Sequence, residues 1–549
     1  MKQRRIVILV LICFLVCGCH DMPREKKQTE ESENIKPEKL VVYMSAFPHT
    51  FIYHQTEEVK TLYPSKSTIG TVTIGGDISS VNGNIFEAAL SQYSRESGIE
   101  IEIHYLEEYE NDGTYNILQD LVDQNKPLPD LLILGKNSKL DYHNLVQQGY
   151  LLDVSEYFER NEEMKDDTKY YQEVLKGGVI DEGQFVIPIL FNMNGIITTS
   201  SYISSIDRQN PTQGSSYMEI LEILTRSCVV MEEDETISAL YENSGRLPRG
   251  QYIPSILMAA AYSNYFDEEY KYNIIQAEAI NGILELMSAY NDQEFTNIAS
   301  QEELSYAEKI NSNLAKSLQI VDSVDAYRQI GIFLSGGRSG GASLHNSLLT
   351  DLAFFQTIYE ENQEEMVFCG IPLYEDSDSY AANVSLFAVG LQETKYPEYV
   401  WDVMKFLMDY EFPSSYGFSV NREITEKMIE DLQNANYSIY SEEVWAGING
   451  GKELEDLQSS IIHLDPLHKE NAEKMLYMLN NIDGAGLPCS VLEYNLFAYM
   501  IQKLNDGEKN IEDTTRWGLE KLDQYIRERE KMEPFYNESF IYSIMVTGD

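Results

Sequence analysis

Ile99–Leu106 reads IEIEIHYL, with apolar and polar residues alternating along the first half of the run. A period of two is the mark of a β-strand with one face buried. Working outward, Gly98 closes a helical stretch, Asn84 to Ser97, whose Ile85, Phe86, Ala89, Leu90 and Tyr93 share one face. Before it, Thr68 to Gly76 (TIGTVTIGG) is a β-branched run that stops at Gly75-Gly76, and it is expected to be the first strand. On the other side, Tyr115 to Gln124 has helical periodicity. Pro129-Asp130 then opens a short apolar strand, Leu131 to Leu134, closed by Gly135. Leu145 to Phe158 is a third helical region, interrupted at Gly149. Strands alternating with helices imply a parallel sheet covered on both faces. Ligands approach the carboxyl ends of strands in such sheets. Those ends are expected at Gly75-Gly76-Asp77 and at Gly135-Lys136-Asn137.

Farther along, Gly183 to Thr199 is apolar with Pro188 in its middle. Ile274 to Tyr290 and Glu303 to Val321 are amphipathic helices by pattern. Met366 to Leu373 and Ser385 to Gly390 are short strands. Pro397 to Met408, Glu470 to Asn481, Leu492 to Asn505 and Thr514 to Glu530 are helices. No internal repeat is visible.

The amino terminus carries a separate message. Lys2, Arg4 and Arg5 precede an apolar run from Ile6 to Val16, followed by Cys17-Gly18-Cys19 and a polar stretch. A positive start, a short apolar core and a small residue before the cut describe a secretory signal. The run is too short to cross a bilayer as a stable helix. From His20 to about Lys39 nearly every residue is charged or polar, so this segment cannot bury enough apolar surface to fold. As a flexible tether it reaches on the order of 25 Å.

Composition narrows the remainder. The 549-residue chain has a formal charge of −48, and losing Lys2, Arg4 and Arg5 with the leader leaves −51. Nucleic acid is not an expected partner, because phosphate binding needs a basic face. Hydrophobic content of 43% is that of an ordinary globular chain. Beyond the leader, Cys228, Cys369 and Cys489 are far apart, odd in number and outside any CxxC, so no disulfide framework is written here.

Seven elements, in order, carry a resemblance. They are the strand-helix-strand of Thr68 to Leu106; Pro129-Asp130-Leu131-Leu132-Ile133; Gln148-Gly149-Tyr150-Leu151-Leu152-Asp153-Val154; and Glu182-Gly183-Gln184-Phe185-Val186-Ile187-Pro188. There follow Pro397 to Leu407; Gly417-Phe418-Ser419-Val420-Asn421, with Ser419 where proline is usual; and Gly507-Glu508-Lys509 running on to Tyr525-Ile526-Arg527-Glu528. Together they resemble the extracellular solute-binding proteins of bacterial ABC importers, the group that includes carbohydrate binders. Val16-Cys17-Gly18-Cys19 similarly resembles the bacterial lipobox, although Cys17 departs from its usual small or short aliphatic residue.

The resemblance implies a two-lobed, periplasmic-binding-protein-like α/β fold (type II) with crossing hinge strands. The signal peptide would be residues 1–18 and the tether 19–39. The first lobe would span 40–188 plus 384–412, and the second 192–382 plus 414–549. Crossings would fall near Ile187 to Asn192 and Tyr380 to Asn383. Residues 40–66 have no counterpart in that projection. Cys19 would carry the diacyl anchor, palmitate included, and hold the protein on the extracytoplasmic face of the cell membrane. The implied partners are a small polar solute, by resemblance a sugar or oligosaccharide, and an ABC permease. The membrane is touched through the lipid only, and the protein is expected to act as a monomer. No cofactor, metal or catalytic residue is implied.

A neutral sugar needs flat apolar faces to stack on and planar amides or carboxylates for its hydroxyls. Candidates by position are Asp77 and Asn84 at the first expected strand end, Asn137 at the next, Asn192 and Asn194 at the first crossing, and Tyr380 and Asn383 at the second. Asn84 also suits a helix cap. Trp445, in the loop-like Glu442 to Gly451, is a candidate platform. Trp401 and Trp517 fall on helical faces and suit core packing instead. Gly336 to Gly341 lacks the Lys-Ser/Thr ending of a P-loop. His463 and His468 have no acidic partner pattern. Asp376 and Asp378 open like a calcium loop, but Tyr380 and Ala381 replace the needed oxygen ligand and glycine. Two other classes stay open. An exported hydrolase would need a carboxylate pair facing a cleft. A module feeding a membrane sensor would need a receptor in place of a permease.

Overall fold

The computed structural model describes residues 36–45, 59–62, 71–74, 77–80, 85–106, 116–135, 140–193, 195–205, 208–211, 343–345, 348–361, 363–372, 377–412, 417–434, 438–440, 461–463, 465–487 and 510–535, with isolated residues between them. Cys19, Asn84, Asn137, Asn194, Trp445, Cys228, Cys489, the helices expected at 274–290 and 303–321, the 336–341 loop and most of 492–505 lie outside these residues.

The α/β class expected from the sequence is observed. Strands β1 (Lys39–Ser45), β2 (Val59–Leu62), β3 (Thr71–Ile74), β4 (Asp77–Ser80), β5 (Glu100–Leu106) and β6 (Leu131–Gly135) come first. Then follow β7 (Val179–Ile180), β8 (Gly183–Gln184), β9 (Val186–Met193) and β10 (Gly195–Thr199). Later strands are β11 (Ser343–His345), β12 (Met366–Gly370), β13 (Tyr380–Gly390), β14 (Phe418–Ser419), β15 (Ser438–Tyr440), β16 (Ile461–His463) and β17 (Ile482–Gly486). One large sheet has the order β14-β9-β13-β6-β1-β5-β2, with β17 also paired to β13. A second sheet has the order β11-β10-β12. The pairs β3–β4, β7–β8 and β15–β16 stand outside both.

The opening strand differs from the expectation. β1 takes the central place, parallel to both β5 and β6. Thr71–Ile74 instead turns back on Asp77–Ser80, with Ile74 opposite Asp77 across Gly75-Gly76. The physics separates the two stretches. A strand inside a parallel sheet is covered on both faces and needs a continuous apolar run. Leu40-Val41-Val42-Tyr43-Met44 is such a run, and Leu40, Val42 and Met44 are fully buried. Thr-Val-Thr-Ile followed by two glycines has the form of a strand ending in a two-residue hairpin turn. The third helical region also splits into two short helices, Tyr142–Gln147 and Ser155–Arg160. Gly149, at φ +78°, makes the turn between them without the steric cost a Cβ would bring.

The Pro-Asp pair before β6 acts as a clamp. The Asp130 carboxylate accepts the Val41 N–H at 2.9 Å and the Thr394 hydroxyl at 2.7 Å. It thereby ties the start of β1 to the turn after β13. Helix Pro397–Met408 forms over the residues expected from its pattern, with Pro397 at its first turn, where a missing N–H costs nothing. Its Trp401 is 6% exposed and stacks on Tyr157 at 6.3 Å. Trp517 is likewise buried, as its helical position indicated. Cys369 is buried on β12, where loss of solvent pushes its thiol up to about 12, so it behaves as an inert apolar residue.

The Gly417–Asn421 motif is a second lock. Phe418–Ser419 pairs with β9. The Asn421 side-chain oxygen accepts from the N–H groups of Glu423 (3.0 Å) and Ile424 (3.4 Å), capping helix Arg422–Asn434. Its amide donates to Asp409 at 2.9 Å, and Asp409 also accepts the Tyr170 hydroxyl at 2.6 Å. Nearby, exposed Glu163 bridges Lys405 (2.9 Å) and Lys169 (3.1 Å), which hold its carboxyl at about 2.

Candidate functional site

Strand direction defines the site. β1, β5 and β6 run parallel. β13 is antiparallel to β6, and β9 is antiparallel to β13. β9 therefore runs with β1 and β6. The ends of β1 (Ser45), β6 (Gly135) and β9 (Met193) fall on one edge of the large sheet, and the start of β13 (Tyr380) falls there too. This is the carboxyl edge, where open α/β sheets receive ligands.

The chain also leaves the sheet at that edge. β9 ends at Met193, and β10, the middle strand of the second sheet, begins at Gly195. The return runs from β12, which pairs Gly370 with Gly195, to Tyr380 on β13. A further passage joins helix Lys469–Asn480 to β17, which pairs Tyr380–Asn383 with Ile482–Gly486. The carboxyl edge of the large sheet thus adjoins the β10 end of the small one.

Two of the amides expected from the sequence meet here. Val384 on β13 pairs with Phe191 on β9, so Asn383 and Asn192 are the next residues along each strand. Asn383 is half-buried. Asn192 is 6% exposed and lies under Gly417. A Cβ at Gly417 would stand 2.6 Å from Asn192 Oδ1 and 2.7 Å from the Phe191 carbonyl oxygen, and φ there is +125°. Only glycine permits that approach.

Tyr380 starts β13 but turns inward. A Cβ on Gly370 would meet Met478 and the Tyr380 ring, and Tyr477 packs edge-on to that ring at 6.5 Å. Its hydroxyl is buried without a hydrogen-bond partner among the described residues, and burial raises its pKa. Asp77 opens β4 of the separate hairpin, so the premise that it ends a parallel strand does not hold.

The sequence did not point to Ser385 or Ser45. Ser385 lies where two residues of β13, from Val384 to Leu386, span one residue of β9, from Phe191 to Leu190. The compensating irregularity on β9 is at Ile189, beside Pro188, which has no N–H to pair. One serine inside the apolar run Val384 to Val389 was the available signal. Ser45 ends β1 and is fully buried. It follows the Leu40–Met44 run directly, outside the stretch where the sequence pattern places the first strand. The named groups at this edge (Asn192, Asn383, Ser385 and Ser45) are neutral hydrogen-bonding side chains. Such a set can hold and orient a polar, uncharged molecule. Among the described residues no group of three or more His, Cys, Asp or Glu could hold a metal ion.

No protein-family model matches the chain, and no curated protein matches it. Solved structures that it is similar to include the extracellular solute-binding protein family 1 of Alicyclobacillus acidocaldarius. That match has 12% identity, covers 90% of this chain and 100% of that one, and has a TM-score of 0.45. Another is the ABC substrate-binding protein of Listeria monocytogenes in complex with cycloalternan, at 12% identity, 90% and 100% coverage and a TM-score of 0.44. A third is an ABC transporter solute-binding protein of Thermotoga lettingae bound with α-D-tagatose, at 10% identity, 89% and 99% coverage and a TM-score of 0.45. Identity at this level transfers no residue roles. All three of these structures are named as solute-binding or substrate-binding proteins, the second and third of ABC systems.

Proposed function

We propose that this protein is a lipid-anchored extracellular substrate-binding protein that captures a small polar solute and hands it to an ABC permease. The solute class proposed is a sugar or oligosaccharide. The observation that carries this proposal is the shared edge. Three strands end there, the chain crosses there to the second sheet and back, and the named side chains there are neutral hydrogen-bonding groups. In this account the two sheets are the cores of two lobes, with the boundaries projected from the sequence. Asn192 and Asn383 hold the solute from the crossing strands. Asn137 and Asn194, which follow β6 and β9 in sequence, complete the set. An empty cleft is open, and the solute favours closure by as much as it binds the closed form better. No bond is broken. Cys19 carries the anchor that keeps the protein outside the membrane.

The test is a thermal-shift screen of residues 20–549 against mono- and oligosaccharides, peptides and amines, with recovery of the bound compound. A ligand that binds only the folded state raises the midpoint. A shift with one carbohydrate class and intact recovered ligand supports the proposal. Cleaved ligand would make the protein a hydrolase. A shift confined to peptides or amines would replace the solute class.

A further inference from the structure

We infer that Ser385 is a solute-contacting residue, its hydroxyl held in reserve at the β13 irregularity for an oxygen of a neutral polar solute. This rests on the solute-binding proposal above and adds a determinant that neither the sequence nor the crossing geometry named. Three observations converge on it. First, Ser385 is 6% exposed and its Oγ has no hydrogen-bond partner among the described residues. A buried hydroxyl left unpaired costs stability, and native chains rarely keep one without a use. Alanine would fill nearly the same space without that cost.

Second, the register shift between Val384 and Leu386 leaves Ser385 as the extra residue against β9. Irregularities of this kind re-aim a side chain and concentrate beside functional sites. Third, its place is the carboxyl edge itself. Leu386, the next residue, pairs with Gly135 at the end of β6, and Asn383 is two residues away on the same strand. Two residues on from Ser385, the Phe387 ring meets Tyr142 of the helix after β6 at 5.4 Å. Along β13 Ser385 thus stands between Asn383 and the residue paired with the β6 end, and its burial shields the hydroxyl from the water that would otherwise compete for it. A neutral donor and acceptor in that position selects for an uncharged oxygen.

The experiment compares wild type with Ser385→Ala over residues 20–549. Melting in buffer and titration with neutral oligosaccharides, maltotetraose first, are measured for both. The expected result is an unchanged or higher midpoint in buffer together with affinity at least about fivefold weaker, the loss of one hydrogen bond to a neutral group. Ser385→Thr, which keeps the hydroxyl, should recover part of the affinity. A lower midpoint with unchanged affinity would make the hydroxyl a structural group and overturn the inference. Unchanged affinity in Ser385→Ala beside a wild type that binds would overturn this assignment alone. A wild type that binds none of the oligosaccharides would overturn the assignment together with the carbohydrate proposal.

Discussion

The two halves of β13 obey different rules. From Leu386 to Gly390 the strand pairs in unbroken register with β6, its residues are buried and apolar, and its one shift is against β9, between Leu386 and Phe387. From Tyr380 to Ser385 the same strand shifts register twice, changes partner to β17 and buries two hydroxyls that have no partner among the described residues. The apolar half contributes stability through area removed from water. The irregular half gives some of that up at the edge where the chain crosses between sheets. Local violations of packing and hydrogen-bonding rules concentrate at functional sites, and here the division falls within eleven residues of one strand.

The largest expected effect falls on the regular half. Phe387 is fully buried between β6 and β9 and meets Tyr142. Phe387→Ala should cost about 3–5 kcal/mol of stability through lost transfer energy and the cavity left behind. Denaturant melts would register this, and a cost under about 1 kcal/mol would erase the contrast. Next is Gly417, which fixes Asn192 against the crossing. Gly417→Ala places a methyl against Asn192 and the Phe191 carbonyl at a left-handed φ, so about 2–3 kcal/mol should be lost. Solute affinity should fall with it, because Asn192 must shift.

Acid tests a third region on the same basis. His143, on the helix after β6, is buried near Arg529, and desolvation first and that charge second depress its pKa to about 3. The unfolded value is near 6.5, so the unfolded chain binds the extra proton between those limits. The stability from neutral His143 is present above about pH 6.5 and is lost as pH falls toward 3, at up to about 1.4 kcal/mol per pH unit. Melting temperatures between pH 7 and 4 should fall less steeply in His143→Gln than in wild type. Parallel profiles would remove His143 from the account. The smallest effect is expected at Tyr380. Removing its hydroxyl, which has no partner among the described residues, in Tyr380→Phe should leave stability unchanged or raise it by up to about 1 kcal/mol, as read from the same melts.

These contrasts also separate what sequence could say from what it could not. Helix Pro397–Met408 was legible because proline set its start and its apolar face repeats at helical spacing. The parallel β5–β1–β6 core was legible in class but not in membership. A β-branched run with a Gly-Gly stop and a continuous apolar run both signal strand, and only two-sided burial separates them. The sequence pattern thus places the first strand at Thr68–Gly76, whereas the structure has it at Lys39–Ser45. At the site, Asn192 and Asn383 were readable from their place beside the crossings. Ser385 is marked in the sequence only as one serine inside an apolar run, because the irregularity that sets it apart belongs to the pairing of two strands. Asp130 and Asn421 carried much of the family resemblance, yet their contacts are structural: one clamps β1 and the other caps a helix.

Asn383 and Asn421 therefore form the sharpest pair. Asn383 lies on β13 and Asn421 two residues past β14, one assigned to the solute and one to the fold. The deciding measurement is calorimetric titration of the oligosaccharide that gives the largest thermal shift into wild type, Asn383→Ala and Asn421→Ala. The account predicts affinity at least about tenfold weaker in Asn383→Ala with an unchanged midpoint, against near-normal affinity and a lower midpoint in Asn421→Ala. Equal affinity in wild type and Asn383→Ala would contradict the claim that the crossing edge of the large sheet holds the solute.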